Sequence, residues 1–289
     1  MPVSFQLGYY PWITQHLEPA KIRSAVELFA SAFEKGLQKD LPGATVQVTD
    51  PLDVPEQVER IIAHERTIEF MNPLGFVLGQ LKSPKLEAVA VAQRIIDGKL
   101  GINYFAQLYT HVDSGLANID QAVQKVQKSV GYGVPFSTSN FLIPALELQK
   151  RRIHPFLNFK AAEFLGGHPE VAKAVYEQKI VLGAGHDGVI IDLSHQEGFE
   201  DAKSKLKTLV RSPPIPSDPI IVNIPDEAER NAVVAALVRA AGTADGKQAL
   251  AEFWGNAQGL EPTSSRPYEV IRTAIDQLRV RPEELLPKS

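Results

Sequence analysis

The sequence predicts an α/β fold, on three observations. Short apolar runs such as "VSFQLGYY" and "GATVQVTD" alternate with longer segments whose apolar residues recur at a helical period. Turn signals rich in Gly, Pro, Asn and Asp separate them. At 289 residues, with 44% hydrophobic and 22% charged residues, the chain is long enough for two lobes or one large domain with a sizeable core.

Each element follows in order. "VSFQLGYY" reads as the first strand. From Pro19 to Leu37 the apolar positions Ile22, Val26, Phe29, Ala30, Phe33 and Leu37 mark a helix. "GATVQVTD" alternates as a second strand, and Val54 to His64 is helical with Pro55 in its first turn. "TIEFMNPLGFVLGQ" is a third strand running into a loop and helix. "EAVAVAQRI" and "LGINYFAQLYTHVD" are two strands separated by the turn signal "DGK". Asn118 to Val130 is polar and helical in pattern, and Phe141–Gln149 and Pro169–Glu177 are helices. "KIVLGAGHDGVIID" reads as a buried strand. The proline-rich "SPPIPSDPIIVNI" feeds another strand, and helices over Pro225–Ala241, Asp245–Phe253 and Tyr268–Leu278 complete the chain.

Composition excludes several function classes. A net charge of −4 with no basic stripe gives no reason to expect a nucleic-acid partner. Apolar runs such as Ile220–Ile224 are far too short to span a bilayer. With no cysteine there is no disulfide, thiol nucleophile or cysteine-ligated metal. The start "MPVSFQLGYYPW" lacks the pattern of a secretory signal, which fits either a cytoplasmic protein or a mature end carrying an added Met.

Four stretches carry chemistry. In "GVPFSTSNFLIP", Ser137, Thr138 and Ser139 precede a helix-compatible run. Such a cluster can cap a helix, and it can also cradle an anion, because hydroxyls and the unpaired N–H groups of a first turn are all donors. In "FLGGHPEVAKAV", His168 stands at a helix start that Pro169 helps to define. It is either an oxyanion donor or an exposed capping residue. In "LGAGHDGVIID", Gly183, Gly185 and Gly188 match a nucleotide-binding spacing, but the β-branched run that follows predicts a strand where that fingerprint needs a helix. His186 and Asp187, adjacent on a strand, would point to opposite faces and so make a poor metal pair. Asp218, in "SPPIPSDPIIV", fits an Asx-type turn. Asp50, Asp53, His16 and Glu69 are titratable without distinguishing spacing. No nucleophile elbow, metal-protease helix or P-loop occurs.

Taken together and in order, "FMNPLGFVLG", "VPFSTSNFLIP", "FLGGHPEVAKAV", "GAGHDGVIID" and "SPPIPSDPIIV" resemble the phosphate, phosphite and phosphonate-binding family of periplasmic ABC-transporter substrate-binding proteins, over roughly Gly8 to Pro219. The resemblance implies a type II periplasmic-binding-protein fold: two α/β lobes, each a mixed sheet flanked by helices, hinged by two crossing strands over a ligand cleft. Lobe 1 would be residues 1–107 plus 220–289 and lobe 2 residues 108–219, with crossovers near Tyr109 and Asp218. The family's hydroxyl cradle falls on Ser137, Thr138 and Ser139, its oxyanion-contacting histidine on His168, and its hydrogen-bond-accepting acid on Asp218. Asn72 falls in the ligand-facing loop, Asp187 beside the cleft, and Tyr10, with Tyr9 and Trp12, where aromatic walls could stand. Val54 and Met71 replace the tyrosines of aminoalkylphosphonate binders, Asn140 replaces a glycine, and Asp192 is offered where a glutamate would bind an amine. These departures count against an aminoalkylphosphonate.

The resemblance thus implies a monomeric, non-enzymatic solute-binding protein outside the cytoplasm. It would carry no cofactor or metal, take a small oxyanion or phosphonate-like ligand and serve the membrane permease of an ABC transporter. The alternatives are a ligand-sensing module of the same fold signalling to a partner protein, and an enzyme reusing the cleft with His168, His186, Asp187 and Asp192.

Overall fold

The computed structural model describes residues 3–11, 17–96, 98–124, 129–255 and 257–279 of the 289; Trp12 and His16 lie outside them. No helix among the described residues is long and apolar enough to cross a membrane. The chain divides into two compact units. Unit 1 takes the N-terminal part to Asn103 and then Pro216–Glu269. Unit 2 takes Tyr104–Ile215 and the last helix from Val270. The chain therefore passes between units after Asn103 and after Ile215, where the resemblance set the passages after residues 107 and 219, and the last helix groups with unit 2 instead of lobe 1.

The first visit to unit 1 lays down β1 (Ser4–Gly8), α1 (Pro19–Leu37), β2 (Thr45–Val48), α2 (Val54–Ala63), β3 (Thr67–Phe70), α3 (Pro73–Lys82), β4 (Glu87–Ile96) and β5 (Lys99–Gly101). α1 starts on Pro19 and buries Ile22, Val26, Phe29, Phe33 and Leu37 along one stripe, as its period requires. The chain enters unit 2 through β6 (Asn103–Tyr104). There it forms β7 (Ala106–His111), α4 (Gln121–Gln124), β8 (Ser129–Tyr132), α5 (Ile143–Lys150), β9 (Ala161–Phe164), α6 (His168–Tyr176), β10 (Leu182–His186), α7 (Val189–Ser194), α8 (Ala202–Lys205) and β11 (Leu206–Arg211). It returns through β12 (Ile215–Pro216), which pairs with β6. Unit 1 is then completed by β13 (Pro219–Asn223), α9 (Glu227–Gly242), α10 (Ala244–Phe253) and β14 (Gly259–Pro262), and α11 (Glu269–Leu278) follows.

The sheet of unit 1 has the order β14-β4-β13-β3-β1-β2, with β5 also on β4. β2 and β3 flank β1 in parallel, whereas β13 runs antiparallel to β3 and β4. Its core centres on Phe70, whose ring lies edge-on to Trp254 at 4.7 Å, Phe253 at 5.1 Å and Phe29 at 5.7 Å. Each such pair adds about 0.5–1.5 kcal/mol to plain burial.

The sheet of unit 2 has the order β11-β7-β10-β8-β9. β8, β9 and β10 run parallel, and β7 runs antiparallel to β10 and β11. Gly183 and Gly185 of β10 leave room for the ring of Tyr109, since a Cβ would come within 2.8 Å and 3.2 Å of its atoms.

Three sequence expectations need correction. Val189–Ser194 is a six-residue helix, not the end of a strand, so the context that set aside the glycine spacing is different from the one expected. What argues against a phosphate cradle there is that Tyr109 occupies the space beside two of the glycines. "LGINYFAQLYTHVD" is three strands, because the passage between units falls inside it. Asn118–Val130 holds only the short α4 among its described residues, and Ser129 and Val130 already belong to β8.

Candidate ligand-binding site

The hydroxyl cluster of unit 2 sits where β8 gives way to α5. Ser137 is the cap: its Oγ accepts from the Asn140 N–H at 3.1 Å. Capping uses a lone pair, so the hydroxyl proton of Ser137 is still there to donate. The turn that follows, Thr138–Leu142, is wider than an α-helix. The Leu142 N–H bonds the Ser137 carbonyl at 3.0 Å, and the Ile143 N–H bonds that of Thr138. Pro144 offers a cause, because it has no N–H for the carbonyl of Asn140; that carbonyl accepts instead from the Gly133 N–H at 3.3 Å. Helix was expected from Phe141; the helical chain begins earlier, and π-turns of this kind often mark functional sites.

Thr138, Ser139 and Asn140 are all buried. Asn140, the departure from the family's glycine, points into the unit. Its Nδ2 donates to the Ala184 carbonyl on β10. Its Oδ1 presses on Gly133, where a Cβ would come within 1.6 Å of it. Asn140 is thus a brace between β8 and β10.

β9 leads through Gly166, whose φ of +101° favours glycine, to His168, the first residue of α6. The Gly166 N–H bonds the Gly133 carbonyl at 3.0 Å and so ties this loop to the hydroxyl turn. His168 Nδ1 accepts from the backbone N–H of His186 at 3.4 Å. A neutral imidazole with Nδ1 accepting carries its proton on Nε2, which makes Nε2–H the donor. Desolvation, with the nearby His186 imidazole as the second cause, holds His168 well below the ordinary histidine range.

A depressed basic pKa means that folding favours the neutral ring. The stability it contributes is present above the unfolded value of about 6.5 and is lost as pH falls through that value toward the folded one. Wild-type protein is therefore expected to lose stability below about pH 6.5 relative to His168→Gln. Parallel denaturation series from pH 7.5 to 5 check this; equal slopes would contradict it.

After β10, the Gly188 N–H donates to His186 Nδ1 at 3.1 Å, and His186 Nε2 lies 3.3 Å from Asp192 Oδ2. The Asp187 N–H bonds the Phe105 carbonyl at 2.9 Å. The Asp187 carboxylate pairs with Arg211 at 3.4 Å, and the Arg211 guanidinium lies over the Phe105 ring. Because β8, β9 and β10 are parallel neighbours, the "STSN", "GGH" and "HDG" loops all leave the same carboxyl edge of the sheet. Ligands of open α/β sheets bind at that edge.

Unit 1 gathers its candidates in the same way. Tyr10 follows β1, and Met71 and Asn72 follow β3. Asp218 precedes β13, which is antiparallel to β3 and so starts at that edge; the Met71 N–H bonds the Pro219 carbonyl at 3.1 Å. Tyr10 is buried in the core of unit 1. Met71 is fully buried, and it and Val54 crowd Gly75. Asn72 caps α3, its Oδ1 accepting from the Gly75 N–H at 2.8 Å.

Asp218 Oδ2 lies 3.3 Å from Arg94 Nη2, and that nitrogen also donates to the Trp254 carbonyl at 3.3 Å. Sequence reasoning missed Arg94 and Arg211. The available signal for Arg94 was a guanidinium directly after the apolar run 88–92 and Gln93. Glu69 was noticed but its partners were not: it is buried with Arg60 and Gln57. Burial pushes its carboxyl above the ordinary value, and Arg60 and Gln57 pull it back down. No group of three acidic or histidine side chains among the described residues could hold a metal.

Two mixed sheets flanked by helices, in units linked by two chain passages, make a type II periplasmic binding protein, a class that captures solutes. The chain belongs to the family of ABC-transporter phosphonate periplasmic substrate-binding proteins, whose model matches residues 13–268.

Solved structures agree in fold. The binding-protein component of an ABC phosphonate transporter from Pseudomonas aeruginosa is 17% identical with a TM-score of 0.75, over 96% of this chain and 87% of that one. PhnD1 from Prochlorococcus marinus, in complex with methylphosphonate, is 18% identical with a TM-score of 0.74, over 96% and 99%. A Xanthomonas citri protein bound to ATP is 16% identical with a TM-score of 0.75, over 96% and 98%. No curated protein sequence matches the chain.

Proposed function

We propose that the carboxyl edge of the unit 2 sheet binds a small phosphorus oxyanion of the phosphonate or phosphite class and that the protein delivers it to the permease of an ABC transporter. The convergence of three donor-bearing loops on that edge carries the reading. Ser137, Thr138, Ser139 and the Nε2–H of His168 supply neutral donors, and the first turn of α6 adds backbone N–H groups. No lysine or arginine belongs to this donor set. Neutral donors suit a monoanion, because no opposing full charge has to be desolvated with it.

Asp187 and Asp218 are the acceptors in this proposal. A carboxylate can only accept, so it selects a ligand with a donor of its own, such as P–OH or an ammonium group. Arg211 offsets part of the charge of Asp187, and Arg94 part of that of Asp218, so neither acid by itself repels an anion. The complex of a relative with methylphosphonate supports this class. On the same reading the protein is a monomer outside the cytoplasm, catalyses nothing, and neither Tyr10, Met71 nor Asn72 contributes a charge.

A calorimetric and thermal-shift panel of phosphite, phosphate, methylphosphonate, aminoethylphosphonate and sulfate tests it. A bound anion at about 100 times its Kd stabilises the fold by about 2.7 kcal/mol. Methylphosphonate or phosphite is expected to give such a shift and sulfate none. Asp218→Asn should weaken the ligand that carries a donor. Silence across the whole panel would overturn the proposal.

A further inference from the structure

His186 and Asp192 have no role in the ligand-binding reading, yet they are built around His168. His186 is held at both ring nitrogens: Nδ1 accepts from the Gly188 N–H at 3.1 Å, and Nε2 faces Asp192 Oδ2 at 3.3 Å. With Nδ1 accepting, the Nε2 proton is directed at the carboxylate. The ring so fixed packs edge-on against His168, with centroids 4.5 Å apart. Its own backbone N–H is the donor to His168 Nδ1. The turn is tight as well, since a Cβ at Gly188 would come within 3.2 Å of the His186 ring.

We propose that His186, braced by Asp192, is a positioning residue that fixes His168 as a single Nε2–H tautomer and presents that proton to the ligand. The chain of contacts runs in one direction. Asp192, on α7, orients the His186 ring; the Gly188 turn closes on that ring; and the ring so held packs on His168 while the His186 N–H, at the end of β10, meets His168 Nδ1. Once Nδ1 is occupied, the alternative tautomer would set two N–H groups against each other. The logic is that of a group that orients a histidine through its far nitrogen. Here the orienting group is the backbone amide of a second histidine, whose ring packs on the first and holds the two together. The low proton affinity of His168 agrees with this arrangement, because a proton on Nδ1 would displace that amide.

The inference rests on His168 being a ligand donor, but its principal readout needs no ligand. Imidazole ¹⁵N spectra, with His168 assigned by its loss in His168→Gln, report which ring nitrogen is protonated. Wild type is expected to show the pure Nε2–H form at pH 8 and to keep it below pH 6.5. His186→Ala and Asp192→Asn are expected to show mixed tautomers and to titrate at higher pH. His186→Asn, whose side-chain oxygen can still accept from Gly188, is expected to recover the wild-type pattern in part.

Methylphosphonate affinity should fall about tenfold to a hundredfold in His186→Ala, the worth of one charge-assisted hydrogen bond. A pure Nε2–H tautomer retained in both His186→Ala and Asp192→Asn would overturn the proposal, since melting curves report separately whether the variants fold. If wild type binds no methylphosphonate, the ligand reading fails while the tautomer result stands on its own.

Discussion

Glu69→Ala is expected to lower the unfolding free energy by about 3–5 kcal/mol, the cost of leaving one member of a buried ion pair without its partner. Glu69 is 0% exposed in the middle of unit 1. Arg60 grips it with two bonds, Nε to Oε1 at 2.7 Å and Nη2 to Oε2 at 3.0 Å, and Gln57 Nε2 donates to Oε2 at 2.6 Å. The backbone of β1 passes so close that a Cβ on Gly8 would lie 2.0 Å from the Arg60 guanidinium. Removing the carboxylate takes two bonds from Arg60 and one from Gln57, leaving them their bonds to the Asp50 and Phe70 carbonyls, beside the strand end that leads to Tyr9 and Tyr10.

A guanidinium titration measures the loss. Arg60→Met combined with Glu69→Leu should recover much of it, because apolar replacement of a whole buried pair is often neutral. A loss under about 1 kcal/mol for Glu69→Ala would show that the pair is not what holds this end of the sheet.

Ser137→Ala combined with Thr138→Ala is expected to weaken methylphosphonate binding by about a hundredfold to ten-thousandfold. On the proposed site each hydroxyl lost is a hydrogen bond to a charged group, worth about 1.5–3 kcal/mol. Ser137→Ala should also destabilise the fold by about 1 kcal/mol, because Ser137 caps the turn through Asn140. The two effects separate by measurement: calorimetry reads the affinity and denaturation reads the cap. Unchanged affinity alongside the lost cap would leave Ser137 as a capping residue only, and the anion would have to sit elsewhere.

What the sequence made legible was what is local. α1 and α2 were visible because their apolar residues recur at a helical period and a proline opens each. The candidates of unit 2 were visible because hydroxyls and glycines cluster next to helix starts. What was hidden depended on distant chain. Val189-Ile190-Ile191 is a strand-like run by propensity, yet it coils because β10 ends at His186 and the turn through Gly188 closes on that ring. β9, "AAEF", has no alternation to betray it; it is a strand because β8 lies beside it.

Arg94 and Asp218 are 124 residues apart, and no spacing rule relates them. Asn140 read as a departure in a ligand loop because its real neighbours, Gly133 just after β8 and Ala184 within β10, are brought together only by the sheet. The order of motifs was enough to find the family, but the partners of each charge needed the fold.

The contact between Arg94 and Trp254 has an optical consequence. The guanidinium carbon lies 5.8 Å from the centre of the fully buried indole, and the same guanidinium grips Asp218. A cation near the face of an excited indole shifts and quenches its emission, so any event that draws Asp218 away from Arg94 alters the charge felt by the ring. The protein thus carries an intrinsic fluorophore one side chain removed from its proposed acceptor. Rapid-mixing fluorescence can then follow events at that carboxylate in unlabelled protein.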